Sequence, residues 1–168
     1  MDKKKFHCIA SRRSWRFGHS GGKKDFMPIK TKRWCDPRKK SDGMRILVCR
    51  YRPRALPKKD ETWDLWCKDL GPSKELHAAF YGKTGPPIGW DEYRRRYLEE
   101  MKGQTENIAF LAEKVAEGRT ITLLCSSACA DPTHCHRSLL KDLIEEEARR
   151  LGWQPDDQGS GTLDRSRK

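Results

Sequence analysis

Residues 124–139 read Leu-Cys-Ser-Ser-Ala-Cys-Ala-Asp-Pro-Thr-His-Cys-His-Arg-Ser-Leu and gather three thiols, two imidazoles and a guanidinium in one short stretch. Cys135, His136 and Arg137 stand where a helix is expected to open. A helix N-terminus offers unpaired N–H groups and a partial positive charge, so it favours anions and lowers the pKa of a thiol placed there. On that basis Cys135 is a candidate nucleophile or redox thiol, His136 a candidate proton carrier and Arg137 a candidate anion clamp. Two other readings compete. Cys125 ends an apolar run and suits a packed core thiol. Alternatively, Cys125, Cys129, His134 and Cys135, with His136 beside them, supply the ligand types of a zinc site. Their spacing, C-x3-C-x5-C-H, is not that of a C-x2-C knuckle. No cofactor can be named from these residues.

A second stretch, residues 48–56, reads Val-Cys-Arg-Tyr-Arg-Pro-Arg-Ala-Leu. A buried strand would deliver Arg50, Arg52 and Arg54 into the loop at its carboxyl end, with Pro53 stiffening that loop. If this strand runs parallel to residues 120–125, both loops leave the same sheet edge, the usual ligand site of open α/β sheets. Arg50 and Arg54 would then converge with Arg137 on a phosphate or carboxylate. The competing use of these arginines is ion pairing with Asp60, Glu61 and Asp64 just downstream.

The elements that must position these groups follow from periodicity. Residues 27–34 alternate apolar and basic side chains like a half-buried edge strand, and residues 45–49 and 120–125 are short apolar runs suited to buried strands. Residues 63–70 suggest a short helix stopped by Gly71-Pro72, and Ser73 caps another that runs to Phe80. Tyr93, Tyr97, Leu98 and Met101 mark an amphipathic helix; Ile108, Leu111 and Val115 mark the next, with Gly118 just past its end. Leu139, Leu140, Leu143, Ile144, Ala148 and Leu151 mark the last. Strands separated by helices predict an α/β fold with a small, largely parallel sheet flanked by helices, a Rossmann-like three-layer arrangement. Trp63, Trp66 and Trp90 are expected to be core packing.

The chain has 168 residues, 36 Lys and Arg against 24 Asp and Glu, and a formal net charge of +12. That length suits one domain. Residues 1–60 carry 20 Lys and Arg against 5 acids, so the basic excess belongs to the first third. Residues 1–25 read as a flexible basic arm, 26–152 as the folded domain and 153–168 as a disordered tail. Such charge favours an anionic partner: a small ligand in the arginine pocket, or nucleic acid along residues 1–60, where Trp15 can stack on a base. No apolar run approaches a bilayer span and no secretory signal opens the chain, so no membrane partner and a cytoplasmic location are expected. In that compartment the seven cysteines would be thiols rather than disulfides.

Several separated motifs resemble one family. Gly43-Met-Arg-Ile-Leu-Val-Cys-Arg-Tyr-Arg-Pro-Arg-Ala-Leu, then residues 64–76 (Asp-Leu-Trp-Cys-Lys-Asp-Leu-Gly-Pro-Ser-Lys-Glu-Leu), then Trp90-x-x-Tyr-x-x-x-Tyr, then Leu-Leu-Cys at 123–125 with Cys-His-Arg-Ser at 135–138 are similar to the domain-of-unknown-function 488 family (DUF488). The resemblance spans about residues 26–148. It implies an α/β domain without an agreed activity, and it marks Arg50, Pro53, Arg54, Lys68, Cys125, Cys135, His136 and Arg137 as motif positions. Lys68 thereby joins Arg50, Arg54 and Arg137 as a candidate ligand-binding residue. Two positions depart from the family pattern: Cys49 stands where an aspartate is usual, and Ala55 where a glycine is usual. The expectation is a small anionic ligand, phosphorylated or a nucleotide, held by arginines with Cys135 and His136 beneath it.

Overall fold

The computed structural model describes residues 28–54 and 56–154. The basic arm lies outside the described residues, as does all of the tail beyond its first two positions. Four strands form the sheet: β1 (Ile29–Arg33), β2 (Met44–Leu47), β3 (Leu65–Trp66) and β4 (Ile121–Cys125). They lie in the order β1-β4-β2-β3 and every pairing is parallel. Strand β4, buried along its whole length, sits between β1 and β2, as a run that is apolar but for Thr122 requires; the Thr122 hydroxyl donates to the Asp42 carbonyl at 2.6 Å. The fold is α/β, with a wholly parallel sheet where a largely parallel one was expected.

Four helices follow: α1 (Lys74–Phe80), α2 (Trp90–Met101), α3 (Thr105–Ala116) and α4 (His136–Arg150). The Ser73 hydroxyl accepts the Leu76 N–H at 3.0 Å and caps α1. The amphipathic stripe of α2 turns Tyr93, Tyr97 and Met101 inward. Together with Leu111 and Val115 of α3 and Leu140 and Ile144 of α4, they pack on Ile46, Val48, Ile121 and Leu123 of the sheet. Each such side chain contributes about 1.5–3 kcal/mol when fully buried.

All four helices share that one core. Across the sheet, Leu47, Cys49, Leu124 and Cys125 pack with Trp63, Trp34 and Leu56, none of them helical. Among the described residues, that second face is covered by loop. It is organised by a buried ion pair: Arg45, fully buried, places Nη1 3.2 Å from Asp42 Oδ2 and donates from Nη2 to the Asp36 carbonyl at 3.0 Å. Lys32 Nζ reaches Asp42 Oδ1 at 2.5 Å. Gly43 permits the entry to β2: its φ is +60°, and a Cβ there would stand 2.0 Å from the Thr120 carbonyl oxygen.

The helix expected over residues 63–70 does not form. The Asp64 N–H donates to the Arg45 carbonyl at 2.8 Å and the Cys67 N–H to the Leu47 carbonyl at 2.9 Å. That ladder with β2 makes residues 65–66 a strand, and only a 3-10 turn (Lys68–Leu70) follows. A turn signal at Gly71-Pro72 was legible; the pairing partner, some 20 residues upstream, was not. Trp66 accordingly is not core but 37% exposed, while Trp63 is buried as expected. Among the described residues no helix is long and apolar enough to cross a membrane.

Candidate functional site

Parallel strands send all their carboxyl ends to one edge, and a cavity of about 750 Å³ opens there. β2 delivers Cys49 and the loop Arg50–Arg54, β4 delivers Cys125 to Cys129, and the start of α4 delivers Cys135 and His136. Gly71 lets the turn before α1 pass close beneath that loop: a Cβ there would lie 2.7 Å from both the Arg50 nitrogen and the Val48 oxygen.

The floor is sulfur and imidazole. Cys125 Sγ lies 3.3 Å from Cys129 Sγ, 3.9 Å from Cys49 Sγ and 3.9 Å from either ring nitrogen of His136. The ligand atoms of Cys125, Cys135 and His136 all fall within 4.8 Å of one another. His136 Nε2 stands 2.9 Å from the Val48 carbonyl oxygen. A carbonyl only accepts, so Nε2 carries the proton and Nδ1 keeps its lone pair. Burial lowers the His136 pKa and holds the ring neutral.

Charge within the sulfur cluster settles on its most accessible member. Hydrogen bonds from the Cys125 and Cys135 thiols, helped by the charge of Arg137, bring Cys129 down to about 3 against the cost of burial. Bonds to Cys129 and Cys49, together with burial, push Cys125 up, and bonds to Cys125 and Cys129, together with burial, push Cys135 up. This is the opposite of the direction that a helix N-terminus alone implies for Cys135. Its sulfur is buried to 2% exposure, and the neighbouring sulfurs outweigh the helix field. The sequence showed the helix start but not the two thiols folded back onto it.

The rim is cationic. Arg50, Arg52, Arg54 and Lys83 line the cavity with His77 and His134, and among the described residues no carboxylate does. Arg50 is anchored from outside, its Nε donating to the Pro72 carbonyl at 2.6 Å and its Nη1 3.8 Å from Asp69. Arg52 pairs with Glu61, one of the downstream acids weighed for this loop. Arg54 and Lys83 have no ion pair among the described residues. Aromatic rings of Trp34, Tyr51, Trp66, Tyr81 and Tyr93 form much of the remaining wall.

Two expected site residues lie apart from the cavity. Arg137 is buried behind the loop, its Nη2 donating to the Cys129 carbonyl at 3.2 Å, while its Nε and Nη1 have no partner. It holds the loop rather than facing the cavity, so it does not converge with Arg50 and Arg54. Lys68 sits half-buried in the 3-10 turn and does not line the cavity. His134, weighed as a zinc ligand, is exposed, places Nδ1 2.8 Å from Asp131 Oδ2 and meets the Trp90 ring edge-on. The imidazole among the sulfurs is His136. Cys49, whose spacing carried no signal, reaches the floor because it follows β2 just as Ser126 follows β4. Five cysteines, Cys35, Cys49, Cys125, Cys129 and Cys135, are free thiols. Cys67 is disulfide-bonded, against the expectation of thiols throughout.

Residues 29–148 match a family model described as the active DUF488-N3 subclade. The chain is 37% identical over 118 residues to the uncharacterized protein YeaO of Escherichia coli, covering 70% of this chain and 97% of that one. It is 42% identical over 104 residues to the uncharacterized proteins Rv3073c of Mycobacterium tuberculosis and Mb3100c of Mycobacterium bovis, covering 61% of this chain and 81% of each. No solved structure matches it.

Proposed function

The chain belongs to the DUF488 family, whose shared fold leaves the activity to be argued from the site, and we propose that its cavity binds a small anionic molecule, phosphorylated or a nucleotide. One observation carries this reading: among the described residues, a cavity of about 750 Å³ is lined by three arginines, a lysine and three histidines, and by no carboxylate. Its volume falls in the range of small-molecule sites, and its aromatic walls suit a flat ring beside the phosphate. Arg50 is the principal clamp, because its anchors at Pro72 and Asp69 hold the guanidinium fork in place before ligand arrives. Arg54, exposed and unpaired, adds charge at the mouth. The usual family aspartate would stand at Cys49, in the floor, so this chain meets its ligand with sulfur where relatives of the common pattern offer an acid.

The test is isothermal titration with pyrophosphate and with nucleoside monophosphates, on the full chain and on Arg50→Ala and Arg54→Ala. Binding that weakens at least tenfold in Arg50→Ala, a loss of about 1.4 kcal/mol, supports the reading. Binding of a short single-stranded RNA or DNA that is steeply salt-dependent and indifferent to both substitutions would overturn it in favour of a nucleic-acid partner.

A further inference from the structure

We propose that the floor of the cavity is a metal centre in which Cys125, Cys129, Cys135 and His136 hold one zinc ion. Zinc takes thiolate sulfur at about 2.3 Å and imidazole nitrogen at about 2.0–2.1 Å in a tetrahedron, which sets its ligand atoms roughly 3.5–3.8 Å apart. The distances from Cys125 Sγ, 3.3 Å to Cys129 and 3.9 Å to either ring nitrogen of His136, bracket that spacing, and Cys135 Sγ forms a set with Cys125 and His136 inside 4.8 Å; Cys129 stands outside that set and closes on the ion through a shift of its loop.

Three further observations point the same way. The Nε2–H of His136 donates to the Val48 carbonyl, which fixes the tautomer that leaves Nδ1 free; a zinc-bound histidine almost always gives its other N–H to such a partner. Three thiolates and a neutral imidazole around a divalent ion leave one net negative charge. Arg137 stands beside the cluster, 4% exposed, with Nε and Nη1 unpartnered and Nη2 on the Cys129 carbonyl, and supplies the compensating positive charge. The ligands also come from separated elements: the end of β4, the loop after it and the first residues of α4. An ion there ties the carboxyl end of the sheet to the final helix. Soft thiolates select zinc over magnesium or calcium.

The inference goes beyond the anion-binding reading and does not depend on it. It departs from the sequence-based ligand set in one residue, His136 for His134. Binding requires only that the protons still held by the thiols pass to solvent as three zinc–sulfur bonds and one zinc–nitrogen bond form.

The experiment measures metal by mass spectrometry in the full chain purified without chelator, then titrates the metal-free protein with Co2+. About one zinc per chain is expected, as are thiolate-to-cobalt charge-transfer bands and intense tetrahedral d–d bands saturating at one equivalent. Cys125→Ser and His136→Gln should lose at least tenfold in bound metal, and His134→Ala should retain it. Wild-type protein that gives no thiolate-to-cobalt band overturns the proposal without reference to whether any variant folds. So does a His134→Ala protein that loses metal as fully as His136→Gln. Metal is read with no anion present, so failure here leaves the arginine site standing, and failure of anion binding leaves the metal content unchanged.

Discussion

Asp42→Asn should destabilise the domain far more than Arg45→Met, although both break the same buried ion pair. Asp42 is 1% exposed and accepts from Lys32 Nζ at 2.5 Å, from the Lys39 N–H at 3.0 Å and from Arg45 Nη1 at 3.2 Å. Neutralising it leaves the fully buried Arg45 guanidinium without a carboxylate, and an uncompensated buried charge costs about 3–5 kcal/mol. At roughly 3 °C per kcal/mol for a chain of this size, the melting temperature should fall by about 9–15 °C. Arg45→Met instead removes the buried cation and fills its space with an apolar chain, while Asp42 keeps Lys32 and the Lys39 amide. About 1–2 kcal/mol is expected, since a buried pair is worth little more than its apolar replacement. Burial opposes ionisation of Asp42, but the bonds from Lys32 and Lys39 and the charges of Lys32 and Arg45 hold its pKa below the ordinary value. A carboxyl depressed in the folded state stabilises above its unfolded pKa of about 4 and loses that contribution as pH falls through the lower folded value. The stability gap between wild type and Asp42→Asn should therefore be full at neutral pH and close in acid. Urea unfolding followed by circular dichroism across that range measures it. Equal costs for the two substitutions, or a gap that widens in acid, would refute the reasoning.

Other substitutions test how the site is held. Gly43→Ala sets a Cβ 2.0 Å from the Thr120 oxygen at a φ of +60°, so a loss of more than about 2 kcal/mol is expected in chemical denaturation. Gly71→Ala presses on the Val48 oxygen and the Arg50 nitrogen at 2.7 Å; it should weaken anion affinity in calorimetry more than Lys102→Ala, an exposed position just past the end of α2. Tyr97→Phe removes the buried hydroxyl that donates to the Leu70 carbonyl at 2.8 Å, and about 1 kcal/mol should be lost in thermal unfolding.

Strands and helices were legible where local pattern decides them. The mostly apolar run of β4, the stripe Tyr93-Tyr97-Met101 and the cap at Ser73 each carry their own signal. Residues 65–66 were not legible, because a two-residue strand exists only through β2. The same distinction governs the site. Arg50 and Arg54 could be placed at the strand end from their neighbours, as could His136 at the helix start. Arg137 could not, since whether a side chain at the second helical position faces the cavity or the loop behind it is set by packing. His134 and His136 differ by two residues in sequence; the Asp131-Pro132-Thr133 turn holds His134 outward on Asp131 while the helix carries His136 under Val48. The charge distribution among Cys125, Cys129 and Cys135 is likewise a product of their approach in space.

The central claim, that Arg50 and Arg54 clamp a small anion in the cavity, is tested most directly by nuclear magnetic resonance of the arginine side chains. The full chain, labelled with 15N, is titrated with a nucleoside monophosphate while the Nε–H signals are followed. The account predicts saturable shifts of the Arg50 and Arg54 signals, with Arg95 and Arg150, paired on distant helix surfaces, unmoved. Shifts confined to arginines of residues 1–27, or a titration that leaves Arg50 and Arg54 in place, would contradict it.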